Sequence, residues 1–159
     1  MSTDWTNSDG LEVRFIGPEA GPTGAGNSTM GAVKNLVLDF DFATAITAAA
    51  DAHEAFIPAG SYIKSATLIV TTAATSGGTA TLTIGLAQKD GTVIDADGID
   101  ATIALADLAA AKVVKCDGAL SAGVASIGSA NGYVYTTPTT AGNAFTAGRG
   151  KLVIEYIDA

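Results

Sequence analysis

Side chains able to do chemistry are scarce in this chain. It holds one histidine, His53, one cysteine, Cys116, and one tryptophan, Trp5. A lone cysteine excludes an internal disulfide. With a lone histidine it also excludes a closed zinc site of Cys and His ligands. Cys116 reads as a small buried hydrophobe. A Ser/His/Asp triad would have to use His53, which stands beside Glu54 in an alanine-rich stretch. No Gly-x-Ser-x-Gly accompanies it, so His53 reads as a surface or turn residue. The glycines near Gly128 are not followed by Gly-Lys-Ser/Thr, and Gly10, Gly17 and Gly24 lack dinucleotide-binding spacing. Cations are few as well: 8 Lys and Arg against 16 Asp and Glu give a net charge of -8. The basic residues are scattered singly from Arg14 to Lys151, which argues against a nucleic-acid partner, since that needs clustered cations to displace counterions. No apolar run approaches the ~20 residues of a membrane helix. The start Met-Ser-Thr-Asp-Trp lacks the basic and apolar regions of a secretion signal. A membrane partner and export are therefore not expected, and folding in a cytoplasm is.

What is present in quantity is small: 31 Ala, 20 Thr and 19 Gly in 159 residues. Charged residues make up 15%, against ~25% in an ordinary domain. Surface that is neither charged nor greasy suits close contact with other protein chains. The length fits one domain able to bury roughly two-thirds of its unfolded surface.

Period-2 patterning dominates. Residues 33–42 place Leu36, Leu38, Phe40 and Phe42 on one face, with Asn35, Val37, Asp39 and Asp41 on the other. Residues 79–87 place Ala80, Leu82, Ile84 and Leu86 opposite Thr79, Thr81 and Thr83. Residues 62–72, 112–116, 132–137 and 151–157 read as further strands, with Leu152, Ile154 and Tyr156 inward. A strand over 11–16 and a short one over 92–94 complete the set, while 119–131 reads as a loop or weak strand. Pro58-Ala59-Gly60 and Asp90-Gly91 signal turns. Gly77-Gly78 reads as a hairpin connection between 62–72 and 79–87, and 138–150 reads as a loop. Alanine propensity predicts a short helix over 43–54. Leu105 and Leu108, three apart, predict a second before residue 111. The fold class expected is all-β: an antiparallel β-sandwich or jelly roll with one or two short helical inserts. Residues 32–159 form the sandwich, and 1–31 form an N-terminal arm and loop, rich in glycine and proline from 17 to 31.

Two acidic groups are the candidates for chemistry. Asp95-Ala-Asp-Gly-Ile-Asp100 is the best metal motif. Asp95, Asp97 and Asp100 around a glycine offer part of the oxygen set a calcium ion wants, although the twelve-residue calcium loop is absent. A glycan hydrolase or lyase would need two carboxylates converging in a cleft; only Asp39 and Asp41 are nominally available, and as neighbours on one strand face they read as surface charges. Tyr133 and Tyr135 share a strand face suited to core or subunit packing. No catalytic residue, no resident metal and no cofactor is expected.

Phe56-Ile-Pro-Ala-Gly-Ser-Tyr-Ile, then Leu82-Thr-Ile-Gly-Leu-Ala-Gln-Lys-Asp-Gly-Thr, then Ala147-Gly-Arg-Gly-Lys-Leu-Val-Ile-Glu-Tyr156 resemble a pattern in small structural proteins of tailed bacteriophages. The likeness spans residues 33–157 and lies in cadence more than in fixed residues. It implies a non-enzymatic virion component of the head-decoration or cement type, a β-sandwich often trimeric on the capsid surface. The partners implied are the major capsid protein and neighbouring copies of the same chain. Trp5, Pro18, Pro22 and Met30 of the arm are then expected contact residues. The alternative is a receptor- or carbohydrate-binding β-sandwich of a head or tail fibre.

Overall fold

The structure is a computed structural model. It describes the backbone of residues 4–6 and 12–14, and residues 33–138 and 143–158 in full. Ten strands are present: β1 Asp4–Thr6, β2 Glu12–Arg14, β3 Lys34–Asp41, β4 Phe56–Ile57, β5 Tyr62–Ser76, β6 Thr81–Ala87, β7 Val93–Ala104, β8 Val113–Lys115, β9 Gly132–Pro138 and β10 Phe145–Ile157. β1 and β2 pair with one another, with Trp5 opposite Val13. The other eight make two antiparallel four-stranded sheets, β3-β10-β5-β8 and β4-β9-β6-β7. From β3 onward the chain changes sheet at every connection except β6 to β7. This is a jelly-roll sandwich, as the threonine–aliphatic alternation predicted.

The alternation works because each sheet has one dry face. Leu36, Leu38, Leu68, Val70, Leu152 and Ile154 from one sheet, and Leu82, Ile84, Leu86 and Val134 from the other, join one buried cluster. Each such side chain contributes about 1.5–3 kcal/mol by leaving water. Thr81 and Thr83 stand half-buried on the opposite face of β6, and Thr79 just before it is exposed.

Three irregularities explain what the periodicity concealed. In β5, Glu155 faces Ser65 while Tyr156 faces Ile63. Lys64 is thus an extra residue, and the bulge lets both Ile63 and Ala66 point inward. In β10, register slips between Phe145 and Arg149 accommodate Gly148, which holds φ +131. Strand β10 therefore begins at Phe145, inside the stretch expected to be a loop. In β7, Ile84 faces Asp100 and Leu86 faces Asp95, so the acidic motif is a wide bulge inside a long strand. It folds over Gly85, where a Cβ would lie 2.1 Å from the Asp95 carbonyl oxygen.

Gly77-Gly78 is not a hairpin turn. β5 pairs with β10 and β8, and β6 with β7 and β9, so the glycines carry the chain from one sheet to the other. The true tight hairpin is at Asp90-Gly91, where Gln88 N–H donates to the Thr92 carbonyl at 2.7 Å and Gly91 takes φ +87.

Neither alanine-rich insert is an α-helix. Residues 43–54 must bridge from the edge of one sheet to the edge of the other, and packing overrides propensity. Asp51 caps a single turn by accepting from Thr47 and Ala48 N–H at 3.3 and 3.2 Å. Glu54 N–H then donates to the Ala49 carbonyl at 2.8 Å, and His53 and Glu54 both take left-handed φ, which ends the turn in a Schellman-type closure. Ile46, Ala49 and Ala52 plug the core beneath it. The Thr136 hydroxyl accepts from Ile46 N–H at 2.9 Å, and Thr136 N–H donates to the Ile46 carbonyl at 3.0 Å. The second insert reduces to one 3-10 turn, Leu105–Asp107, followed by the fully buried Leu108. Among the described residues no helix is long and apolar enough to cross a membrane.

Candidate interaction surface

The two flanks of the sandwich are built differently. On the β7–β8 flank the sheets are laced together. Gly118 and Leu120 N–H donate to the Ile99 and Gly98 carbonyls, both at 2.8 Å. A Cβ at Gly118 would lie 2.5 Å from the Asp97 and Gly98 carbonyl oxygens, so only glycine allows this approach. Asp100 and Cys116 are buried side by side in the seam. Burial pushes the Asp100 carboxyl above its usual range, and the neighbouring Asp117 charge adds to this. Burial likewise lifts the Cys116 thiol to about 12, helped by the charges of Asp100 and Asp117.

Asp95, Asp97 and Asp100 are thereby separated in role. Asp95 accepts from Asp97 N–H at 3.3 Å, and burial together with Asp97 raises its pKa. Asp100 turns into the seam toward Cys116 and accepts from Thr102 N–H at 3.0 Å. No group of three His, Cys, Asp or Glu side chains able to hold a metal ion exists among the described residues. The bulge keeps Asp95 beside Asp97 and turns Asp100 away toward Cys116 and Asp117.

Among the described residues, the opposite flank, between edge strands β3 and β4, is open. A groove of about 410 Å³ runs along it, lined by Leu36, Val37, Phe56, Pro58 and Tyr156. Phe56 is exposed and packs on Tyr133 with ring centroids 5.7 Å apart. Tyr133 is buried under that ring, whereas Tyr135 is half-buried.

The outer face of the β3-β10-β5-β8 sheet continues from this flank. Its cross-strand rows follow from the register. Val37 sits beside Val153 and Thr67, and Asp39 beside Lys151 and Ile69, with Val113 on β8 beyond. Val37 is 51% and Val113 64% exposed. The carboxylates of this face are answered across the strands. Lys151 Nζ lies 3.4 Å from Asp39 and Arg149 Nε 3.9 Å from Asp41, while Ser65 donates to Glu155 at 2.9 Å. A cleft of about 600 Å³ at the end of β3 gathers Asp39, Asp41, Asp51, His53 and Arg149. Asp39 and Asp41 are held there by cations and Asp51 by the turn it caps, which is the surface-charge role expected of the first two. His53 is exposed at the turn.

Of the four expected contact residues, Trp5 lies in β1, and Pro18, Pro22 and Met30 fall outside the described residues. The exposed Val37, Ile69 and Val113, spread over two adjacent cross-strand rows with half-buried Val153 beside Val37, were not anticipated as a patch. It is assembled by pairing between segments far apart in sequence, and β-branched residues on a nominally wet face were its only trace.

Two solved structures share this fold. A chain of the cyanophage Pam1 capsid asymmetric unit matches with TM-score 0.60 at 18% identity, covering 97% of this chain and 98% of that one. A chain of the capsid of Ralstonia phage GP4 matches with TM-score 0.53 at 17% identity, covering 82% and 86%. No family model matches the sequence, and no curated protein sequence does. The fold class is thus an all-β sandwich of a kind found in phage capsid structures.

Proposed function

We propose that the chain is a non-enzymatic structural protein of a phage particle that decorates or cements the capsid surface. The observation that carries this is the end-to-end match of its fold with a chain in the Pam1 capsid, 97% against 98% in length. A fold alone does not fix a function; the reading is supported further by the open, exposed aliphatic face and by the sparse surface charge. In this reading the chain is made in the host cytoplasm and acts as a homotrimer. It contacts the major capsid protein and neighbouring copies, with the arm of residues 1–31 making part of the attachment. Affinity comes from small apolar areas buried at roughly 25 cal/mol per Å² and multiplied by many copies through avidity. The test is twofold. Mass spectrometry of purified particles should find the protein in stoichiometric number. A chain lacking residues 1–31 should keep its β-sheet circular dichroism yet fail to bind stripped particles. Undiminished binding would remove the arm from the reading, and absence from particles would remove the reading itself.

A further inference from the structure

Sheet edges invite pairing with other chains, and proteins blunt them with short strands, proline, bulges or inward charges. In this sandwich β8 is three residues long and β4 two, while β7 is broken by bulges. β3 differs. It is eight residues long, has no proline, pairs with β10 in unbroken register, and turns only Leu36, Leu38 and Phe40 inward beyond Lys34. Phe42 N–H donates to the Gly148 carbonyl at 3.0 Å, which fixes the direction of the backbone groups along the strand. Even-numbered residues bond to β10. Asn35, Val37 and Asp39 therefore present their N–H and C=O groups to the open side, where no described strand meets them.

We infer that this edge pairs with β3 of a second copy of the chain, antiparallel and two-fold symmetric, with Val37 opposite Val37 of the second copy. Antiparallel hydrogen-bonded pairs alternate along a ladder, so only odd-numbered residues can face odd-numbered ones across this edge. Charge and ladder length together select the register, since a two-fold at Leu36 also keeps the acids apart but pairs only residues 34–38 of the strand, against 34–40 for one at Val37. A two-fold at Asp39 would set two aspartates face to face. A two-fold at Leu38 would leave them diagonal neighbours, 7–8 Å apart. A two-fold at Val37 puts Asn35 opposite Asp39, an amide donor against a carboxylate, and Val33 opposite Asp41. No acid then stands beside or diagonal to another, and valine meets valine. With Asp39 already neutralised by Lys151, this flank suits self-association in a chain whose net charge of -8 otherwise drives copies apart. The contact does not depend on the capsid reading. Alongside a three-fold contact made elsewhere, it would join trimers in pairs.

The experiment uses the free full-length chain. Its mass by sedimentation equilibrium should be an even multiple of 15.7 kDa. Val37→Pro should halve that mass without unfolding the protein, because the lost N–H points away from β10. Val37→Cys should form a covalent dimer under mild oxidant, whereas Val153→Cys, one strand further in, should not. Cys116 is buried and gives no background. An unchanged mass for Val37→Pro overturns the proposal. So does cross-linking by Val153→Cys in place of Val37→Cys, which would mean that faces stack. So does a monomeric full chain that dimerises only when residues 1–31 are removed, which would give the edge to the chain's own arm. Binding to particles is measured separately: a Val37→Pro chain that still attaches leaves the capsid reading standing.

Discussion

Gly150→Ala adds one methyl group and should cost more than most surface truncations. Gly150 sits in β10 on the inner face, and a Cβ there would lie 2.7 Å from Leu68 Cδ1 and 2.8 Å from Phe42 Cε1 and Cζ. All three contacts are closer than carbon atoms tolerate. Phe42 is fully buried and wedged edge-on against Phe40 with centroids 5.5 Å apart, and against Phe145 at 6.3 Å. The ring cannot withdraw freely. Overpacking of this kind costs about 1–3 kcal/mol, or ~2–4 °C of melting temperature per kcal/mol for a chain of this size. Phe42→Leu alone should also destabilise, by opening a gap over Gly150. Together the two changes should cost less than their sum, with a coupling of about 0.5–3 kcal/mol, because the new methyl fills the space the ring leaves. Urea denaturation with an unchanged m-value reads both effects. Gly77→Ala is the control, since nothing lies within 4 Å of its Cβ position, and it should be near neutral. Additive costs for the Gly150 and Phe42 changes would refute the proposition that the glycine exists to seat that ring.

Asp100→Asn should raise stability near neutral pH. Burial lifts the native carboxyl above its unfolded value of 3.8, so the folded state binds the proton more tightly. The contribution of Asp100 to stability then falls as pH rises from about 4 through the native pKa; the difference in denaturation midpoint between variant and wild type should grow across that range. The Cys116 thiol, held at about 12, should resist a thiol reagent at mildly alkaline pH until denaturant is added, and rapid labelling of the native protein would contradict its burial. Thr136→Val leaves the buried Ile46 N–H without its side-chain acceptor and should cost about 1–3 kcal/mol by the same urea assay.

Where a strand buries one face with aliphatics and keeps regular register, its sequence was readable. Lys34–Asp41, Thr81–Ala87 and the end of Phe145–Ile157 were all legible for that reason. The first half of β10 was not, because after Phe145 its inward positions are Gly148 and Gly150, which fill the core with a neighbour's ring instead of a side chain of their own. β7 was hidden by its bulge, which places the polar run Asp95–Asp97 inside a strand and shifts the period. The alanine segments carried a helical preference that the need to span two sheet edges overrode. Gly77-Gly78 has a hairpin's composition, and only the identity of each strand's neighbours reveals a crossover. For the interaction surface, the individual valines and aspartates were visible. Their pairing with Lys151, Arg149 and Val153 was not, since it depends on which distant strand lies beside β3.

That neighbour has a temporal meaning. Among the described strands β3 is the first long one to be synthesised and β10 the last, and they lie side by side. At about 5–20 residues per second, the residues numbered 42–144 that separate them take roughly 5–20 s to synthesise. Throughout that interval the nascent β3 lacks β10, the strand that pairs with it. The fold therefore cannot close until β10 has been made, and its long-range pairings make that closure slow among small domains.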